Sequence, residues 1–328
     1  MVHRRKLILG AGAATACGLG GFWTLGGRRA RTRVFVGKAT SYDDDLEGLV
    51  RRGLSEIGYT PDQFKDRSVL IKPNLVDPIG TTPHANTHPK LLCAAVEVFR
   101  RWGAGDVVVG EGQGLSRDSD QLLEASSYGP FCRERRIDVI DLNFADVVAR
   151  ANRTKFTSLG RFYLPRVVAE ADFVVSMPKL KTHHWAGVTL AAKNLFGVLP
   201  GTYYGWPKNV LHWAGIHQSI LDIACLVRPR ISIVDGIVGM EGDGPLLGTA
   251  KPLGAVVIGA DPFAVDATAT RLMGMEPERI AYLREAAGRR LGAVSEGRIQ
   301  QVGERLADSR SPFVIPRGFS SLNHADSY

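Results

Sequence analysis

Short apolar runs alternate along the chain with longer stretches whose apolar positions return every three or four residues. The short runs are Val34–Gly37, Ser68–Lys72, Asp106–Val109, Ile137–Ile140, Asp172–Ser176, Ile231–Val234 and Ala255–Ile258. Several are apolar on both faces, as a strand buried within a parallel sheet requires. Helical patterns occupy residues 44–57, 88–102, 117–135, 209–227, 262–273 and 277–288. The alternation predicts an α/β fold: a doubly wound, mainly parallel sheet with helices on both faces, formed as a single domain over residues 34–305. Residues 306–328 read as a polar, irregular tail.

The first thirty residues break this pattern. Val2-His-Arg-Arg-Lys6 precedes a charge-free, glycine-rich run, Leu7–Gly27. A basic segment before an apolar run is an export signal. Arg4–Arg5 followed by Lys6-Leu-Ile8 is similar to the twin-arginine pattern, which makes the twin-arginine export machinery an expected partner. Three fates stay open: cleavage after Ala14-Thr-Ala16, lipidation at Cys17, or retention as an N-terminal membrane anchor. Each delivers the body across the cytoplasmic membrane, to the periplasm or cell surface.

Charge changes the picture only through its distribution. The formal net charge is +8, but seven of the 41 Lys and Arg residues lie in residues 1–33, which hold no acid. The remaining 34 face 33 Asp and Glu. A nearly neutral body offers no general nucleic-acid surface, while leaving room for a local cationic pocket. Cys17, Cys93, Cys132 and Cys225 show no C-x-x-C spacing. Nothing in the chain therefore has the pattern of an iron–sulfur or zinc–cysteine site.

Candidate chemistry gathers just past the predicted strands, where open α/β sheets bind ligands. Lys72 and Asn74 follow one strand and Glu111 another. Lys179, Lys181 and His183 follow a third, and Asp235 a fourth. Lys193, Asn194, Lys208 and His212 come next to the lysine–histidine segment in the chain. Lysines and amides interleaved with apolar residues point to a pocket for a small anionic molecule. Glu241 and Asp266 are its expected acidic complement. Asp235, Glu111 and His183 are the candidate acid/base groups. A divalent metal held by His183 and a carboxylate stays open, since no histidine or carboxylate spacing decides it. Phosphate-loop, dinucleotide and G-x-S-x-G patterns are all missing.

Five pieces together resemble the family called domain of unknown function 362. They are Lys72-Pro-Asn-Leu-Val76, Pro178-Lys-Leu-Lys-Thr-His183, Lys193-Asn194 with Gly197, Asp235-Gly236 with Glu241-Gly-x-Gly-Pro-x-x-Gly248, and Asp261-Pro-x-Ala-Val-Asp266. Some relatives carry a ferredoxin-like module of closely spaced cysteines, which this sequence lacks. The resemblance implies an α/β fold and a site among these pieces, with no reaction attached. Two readings follow. In one, an exported enzyme acts on a small anionic substrate in a Lys/His/Asp-lined cleft at the sheet's C-terminal edge. In the other, a non-catalytic accessory of an exported redox system binds an anion, metal or partner there.

Overall fold

The computed structural model describes residues 31–76, 83–114, 123–124 and 128–319. The export segment read over residues 1–30 lies outside them. No helix among the described residues is long and apolar enough to cross a membrane.

A ten-stranded sheet runs in the order β12-β1-β11-β10-β7-β2-β3-β4. Its strands are β1 (Thr32–Lys38), β2 (Ser68–Pro73), β3 (Asp106–Glu111), β4 (Asp138–Asp141), β7 (Phe173–Met177), β10 (Ile231–Glu241), β11 (Thr249–Gly259) and β12 (Ile299–Gly303). Two more, β8 (Lys179–His183) and β9 (Gly187–Thr189), continue it beside the far half of β10. A separate hairpin pairs β5 (Val147–Ala151) with β6 (Arg161–Pro165). Most pairings in the large sheet are parallel; β1–β11, β10–β11 and β8–β9 run antiparallel.

Side-chain alternation splits the core into two layers. Phe35, Val69, Ile71, Val175, Ile233 and Val256 face α1 (Leu46–Glu56), α2 (Pro89–Arg101) and α3 (Tyr128–Glu134). Val34, Leu70, Val174, Val234 and Val257 face the opposite layer. That layer holds α5 (Ala191–Asn194), α8 (Ile216–Val227), α9 (Pro262–Leu272) and α10 (Ala281–Gly288). Helices thus cover both faces, as the apolar runs require. The remaining short helices are α4 (Arg166–Glu170), α6 (Gly201–Tyr204), α7 (Asn209–Trp213) and α11 (Leu306–Ser309). Local chemistry sets several helix starts. Asp45 accepts from the Gly48 N–H at α1, and Asp261 accepts from Phe263 and Ala264 at α9, with Pro262 in the first helical position. The Asp261-Pro piece is therefore a helix cap.

Several expectations need correction. Residues 179–183 do more than follow a strand; they form β8, because β10 runs on to Glu241 and offers them an edge to pair with. Asp235 accordingly sits inside β10 rather than after it. The helix expected over 209–227 breaks into α7 and α8 at Gly215, whose φ of 101° suits glycine alone. His212 and His217 therefore lie on different helices. Of the helix expected over 117–135, the described part is α3 and residues 123–124. The tail is not wholly irregular: α11 opens it, and Phe313 is buried in the core. The antiparallel β1, β11 and β10 set and the β5–β6 hairpin carry no period that separates them from parallel strands or loops.

Candidate functional site

A cleft opens at the carboxyl ends of β2 and β3, floored by α5 and closed on one side by β8 and α7. Its volume is about 140 Å³, close to the ~150 Å³ of an engineered cavity that holds one benzene. Lys72, Asn74, Glu111, Lys181, His183, Lys193, Asn194, Lys208 and His212 all line it. The sequence reading named each of these. Four other named residues lie elsewhere.

Lys72 and Glu111 form the inner wall. The Lys72 Nζ lies 2.8 Å from Glu111 Oε1, and both side chains are buried. Lys72 also donates to the Pro73 carbonyl at 2.6 Å and to Asn194 Oδ1 at 3.3 Å. Glu111 accepts from the Leu75 and Gly112 N–H groups at 2.9 and 3.0 Å. Gly197 passes so close that any Cβ would overlap Lys72 Nζ and Glu111 Oε1. Its place in the motif is thus set by space. Burial pulls the Lys72 ammonium below its ordinary pKa, and Glu111 pulls it back.

The other lysines have no carboxylate against them. Lys181 donates to the carbonyls of Ala85 and Pro245 at 2.8 and 3.2 Å. Burial, followed by the charges of Lys193, Lys179 and Lys72, drives its pKa well down. Lys208 binds three carbonyls, those of Gly112 at 2.6 Å, Phe196 at 3.2 Å and Leu199. Burial brings it down to about 7. Lys193 differs from both. Its Nζ sits over the Phe196 ring at 3.9 Å and has no hydrogen-bond or ion-pair partner among the described residues. Burial and the Lys72 charge bring it down to about 7 as well. Asn74 Oδ1 and Thr189 Oγ1, both lining the cleft, are buried without partners.

Two histidines are held in opposite tautomers. The Nδ1 of His183 accepts from the Trp185 and Ala186 N–H groups at 3.0 and 3.3 Å, which places the ring proton on Nε2. The Nδ1 of His212 lies 3.0 Å from the Lys208 carbonyl. It must donate there, so Nε2 keeps a lone pair. Burial is the leading cause that lowers both pKa values, His183 strongly, so both rings are neutral near pH 7. Among the described residues no three His, Cys, Asp or Glu side chains cluster as a metal would need.

Lys179 and Asp235 form a second, closed cluster. Their ion pair is 2.6 Å long and fully buried. Asp235 also accepts from the Tyr42 hydroxyl and the His88 N–H, each at 2.8 Å. The Tyr42 ring stacks on His88 at 3.6 Å. Burial, then Asp235, raises the Tyr42 pKa, and burial lowers His88 to about 4. Glu241 accepts from the Val314 N–H and lies 3.8 Å from Lys251, away from the cleft. Asp266 accepts from the Ala191 and Ala192 N–H groups at 2.6 and 3.1 Å and from the Tyr282 hydroxyl at 2.8 Å. It anchors the start of α5 from behind and so positions Lys193. Burial pushes its carboxyl up to about 7. Tyr42 and Thr189 carried no sequence signal. Tyr42 stands in an acidic turn, and Thr189 looks like any β-strand threonine.

A family model described as "Domain of unknown function (DUF362)" matches residues 69–271. The thylakoid-associated protein sll1697 of Synechocystis sp. is 27% identical over 229 residues, 68% of each chain. Two solved structures are also similar. The lactate racemase apoprotein from Thermoanaerobacterium thermosaccharolyticum aligns at TM-score 0.41 and 17% identity, over 68% of this chain and 54% of that one. A protein from Thermotoga maritima aligns at TM-score 0.35 and 15% identity, over 59% of this chain and 50% of that one. This chain spans about half the length of these two structures.

Proposed function

We propose, from the premise that the chain belongs to the family of domain of unknown function 362, that it binds a small organic anion in this cleft and moves a proton on it. The observation that carries the reading is Lys193. A lysine beside three others, partly open to the cleft, facing one carboxylate there and lacking any acceptor of its own, stands where it can attract a bound anion. Lys193 and Lys208 supply charge, and the Asn74 and Thr189 polar atoms supply orientation. His183, with its proton on Nε2, offers a hydrogen bond, and His212, with its lone pair there, offers a base on the same cavity.

Titration with acetate and other small carboxylates tests this. Replacing Lys193 with Ala removes one charge-assisted hydrogen bond, worth ~1.5–3 kcal/mol, so binding weakens roughly tenfold or more. Affinity also falls as pH rises through about 7, because Lys193 and Lys208 lose their protons there and only the ammonium attracts an anion. Lys193→Arg, which stays charged, should shrink that step. In D2O, a carboxylate that serves as substrate should exchange a carbon-bound proton for deuterium, and His212→Asn should stop the exchange without abolishing binding. Equal affinity for Lys193→Ala and the parent protein would exclude the reading.

The place of action proposed is beyond the cytoplasmic membrane, on the support of Arg4–Arg5 and the charge-free run behind them. A relative named as thylakoid-associated is in keeping with a protein that works at a membrane. Changing both arginines to lysine should keep the protein in the cytoplasm; unchanged export would remove the twin-arginine route.

A further inference from the structure

Four lysines line the cleft, and three of them are tied down. Lys72 is paired with Glu111, Lys181 donates to two carbonyls and Lys208 to three. Lys193 differs: it is partly open to the cleft and has no hydrogen-bond or ion-pair partner among the described residues. Its Nζ stands over the Phe196 ring, 3.9 Å from the centre, and the His212 ring meets the same Phe196 ring at 5.6 Å, edge to face. The amine and the imidazole that keeps its Nε2 lone pair thus share one apolar wall. Burial and the Lys72 charge bring Lys193 down to about 7, so a large share of the molecules carry a neutral amine near neutral pH. A lysine desolvated beside a second cation is the kind that attacks carbonyl carbon. Asn74 Oδ1, an acceptor buried without a partner, lines the same cleft. A carboxylate has no proton to give it, whereas the hydroxyl of a carbonyl adduct has.

We propose that Lys193 is a nucleophile that joins a small oxo acid as a Schiff base, with the acid's carboxylate held by the charge of the other cleft lysines and its carbonyl carbon bonded to Nζ. This rests on the anion-binding reading and names its substrate class. His212 first takes a proton from the ammonium. The freed lone pair forms the C–N bond as the carbonyl π pair moves to oxygen. A second nitrogen proton passes to that oxygen, His212 returns its own to the resulting hydroxyl, and the C–O bond breaks to release water. The iminium keeps the third proton, so atoms and charge balance without a co-reactant. Its positive nitrogen then draws electrons from the neighbouring carbon, whose C–H proton His212 removes; this is the proton movement proposed above. Pyruvate has as many heavy atoms as benzene and so suits a cavity of about 140 Å³.

Pyruvate with sodium cyanoborohydride tests this on the full chain near pH 7. Reduction turns the imine into a stable secondary amine, which adds the mass of pyruvic acid less one oxygen. Peptide mapping should place that mass on Lys193, at a rate roughly tenfold or more above that of the exposed lysines. The parent protein decides the point by itself. Lys193→Arg keeps the charge but cannot form the imine, so it should lose the adduct while still binding acetate in calorimetry. Pyruvate that binds as acetate does, with the label absent or spread evenly over the surface lysines, would overturn the inference and leave the anion site standing. If neither acetate nor pyruvate binds, both readings fall together.

Discussion

Replacing Asp235 with Ala is expected to cost ~3–5 kcal/mol of folding stability, the range for breaking one side of a buried ion pair. The carboxylate has no exposure and accepts from three donors: the Lys179 ammonium, the Tyr42 hydroxyl and the His88 N–H. Without it, Lys179 keeps only the Tyr42 hydroxyl and the Val238 carbonyl. Burial already depresses Lys179 in the native protein, with Asp235 opposing it. In the variant that opposition is gone, so the lysine sheds its proton more readily when folded. The folded state then binds fewer protons than the unfolded one between the depressed pKa and the ordinary lysine value. Stability must rise with pH across that window, and the deficit should shrink toward alkaline pH. Pairing Asp235→Leu with Lys179→Met removes both charges and should recover most of the loss. Urea denaturation of the three proteins measures all of this. A single variant within 1 kcal/mol of the parent would show that the cluster is not the closed network drawn above.

Glu111→Ala should be as damaging, and for a related reason. It strands the Lys72 ammonium and the Leu75 and Gly112 N–H groups, all of which point at one carboxylate. Breaking the pair costs ~3–5 kcal/mol. Unlike the Asp235 cavity, this one lines the cleft. Formate can therefore enter and take the place of the missing carboxylate. Ligand that binds only the folded state stabilises it by RT ln(1 + [L]/Kd), ~2.7 kcal/mol at a hundredfold excess over Kd. The denaturation midpoint of Glu111→Ala should climb with formate by more than that of the parent, and Asp235→Ala should gain no more than the parent. Equal gains for Glu111→Ala and the parent would mean that the Glu111 position is closed to solutes.

Both experiments turn on a distinction that residue types alone do not make. Lys72 with Glu111 and Lys179 with Asp235 look alike in sequence: a lysine near the end of one strand and an acid near the end of another. One pair opens on a cavity and the other is sealed. The difference comes from Tyr42 and His88, whose stacked rings lie against the Lys179–Asp235 pair. No local pattern connects position 42 to position 235. Asp266 and Asp261 were similarly legible as motif residues and illegible as to role. One holds α5 from behind, and the other caps α9.

The parallel strands, the two helical layers and the sheet edge that carries the lysines could be read from the chain, because apolar periodicity is a local consequence of what each segment buries. Lys72, Asn74 and Glu111 could be placed together for the same reason, since the ends of parallel strands share an edge; Lys181, His183, Lys193, Asn194, Lys208 and His212 reach the cleft from β8, α5, α7 and the turns beside them. The tertiary structure alone decided which charges are paired, which tautomer each histidine holds, and that Lys193 is left without an acceptor. The ion pairs depend on atoms brought within 3 Å from positions 39 and 56 apart in the chain, while the tautomers and the Lys193–Phe196 contact are set by turns whose geometry residue types do not state. Hydrogen bonds form only over that short range, so residue identity could name the candidates while only the packed fold could sort them.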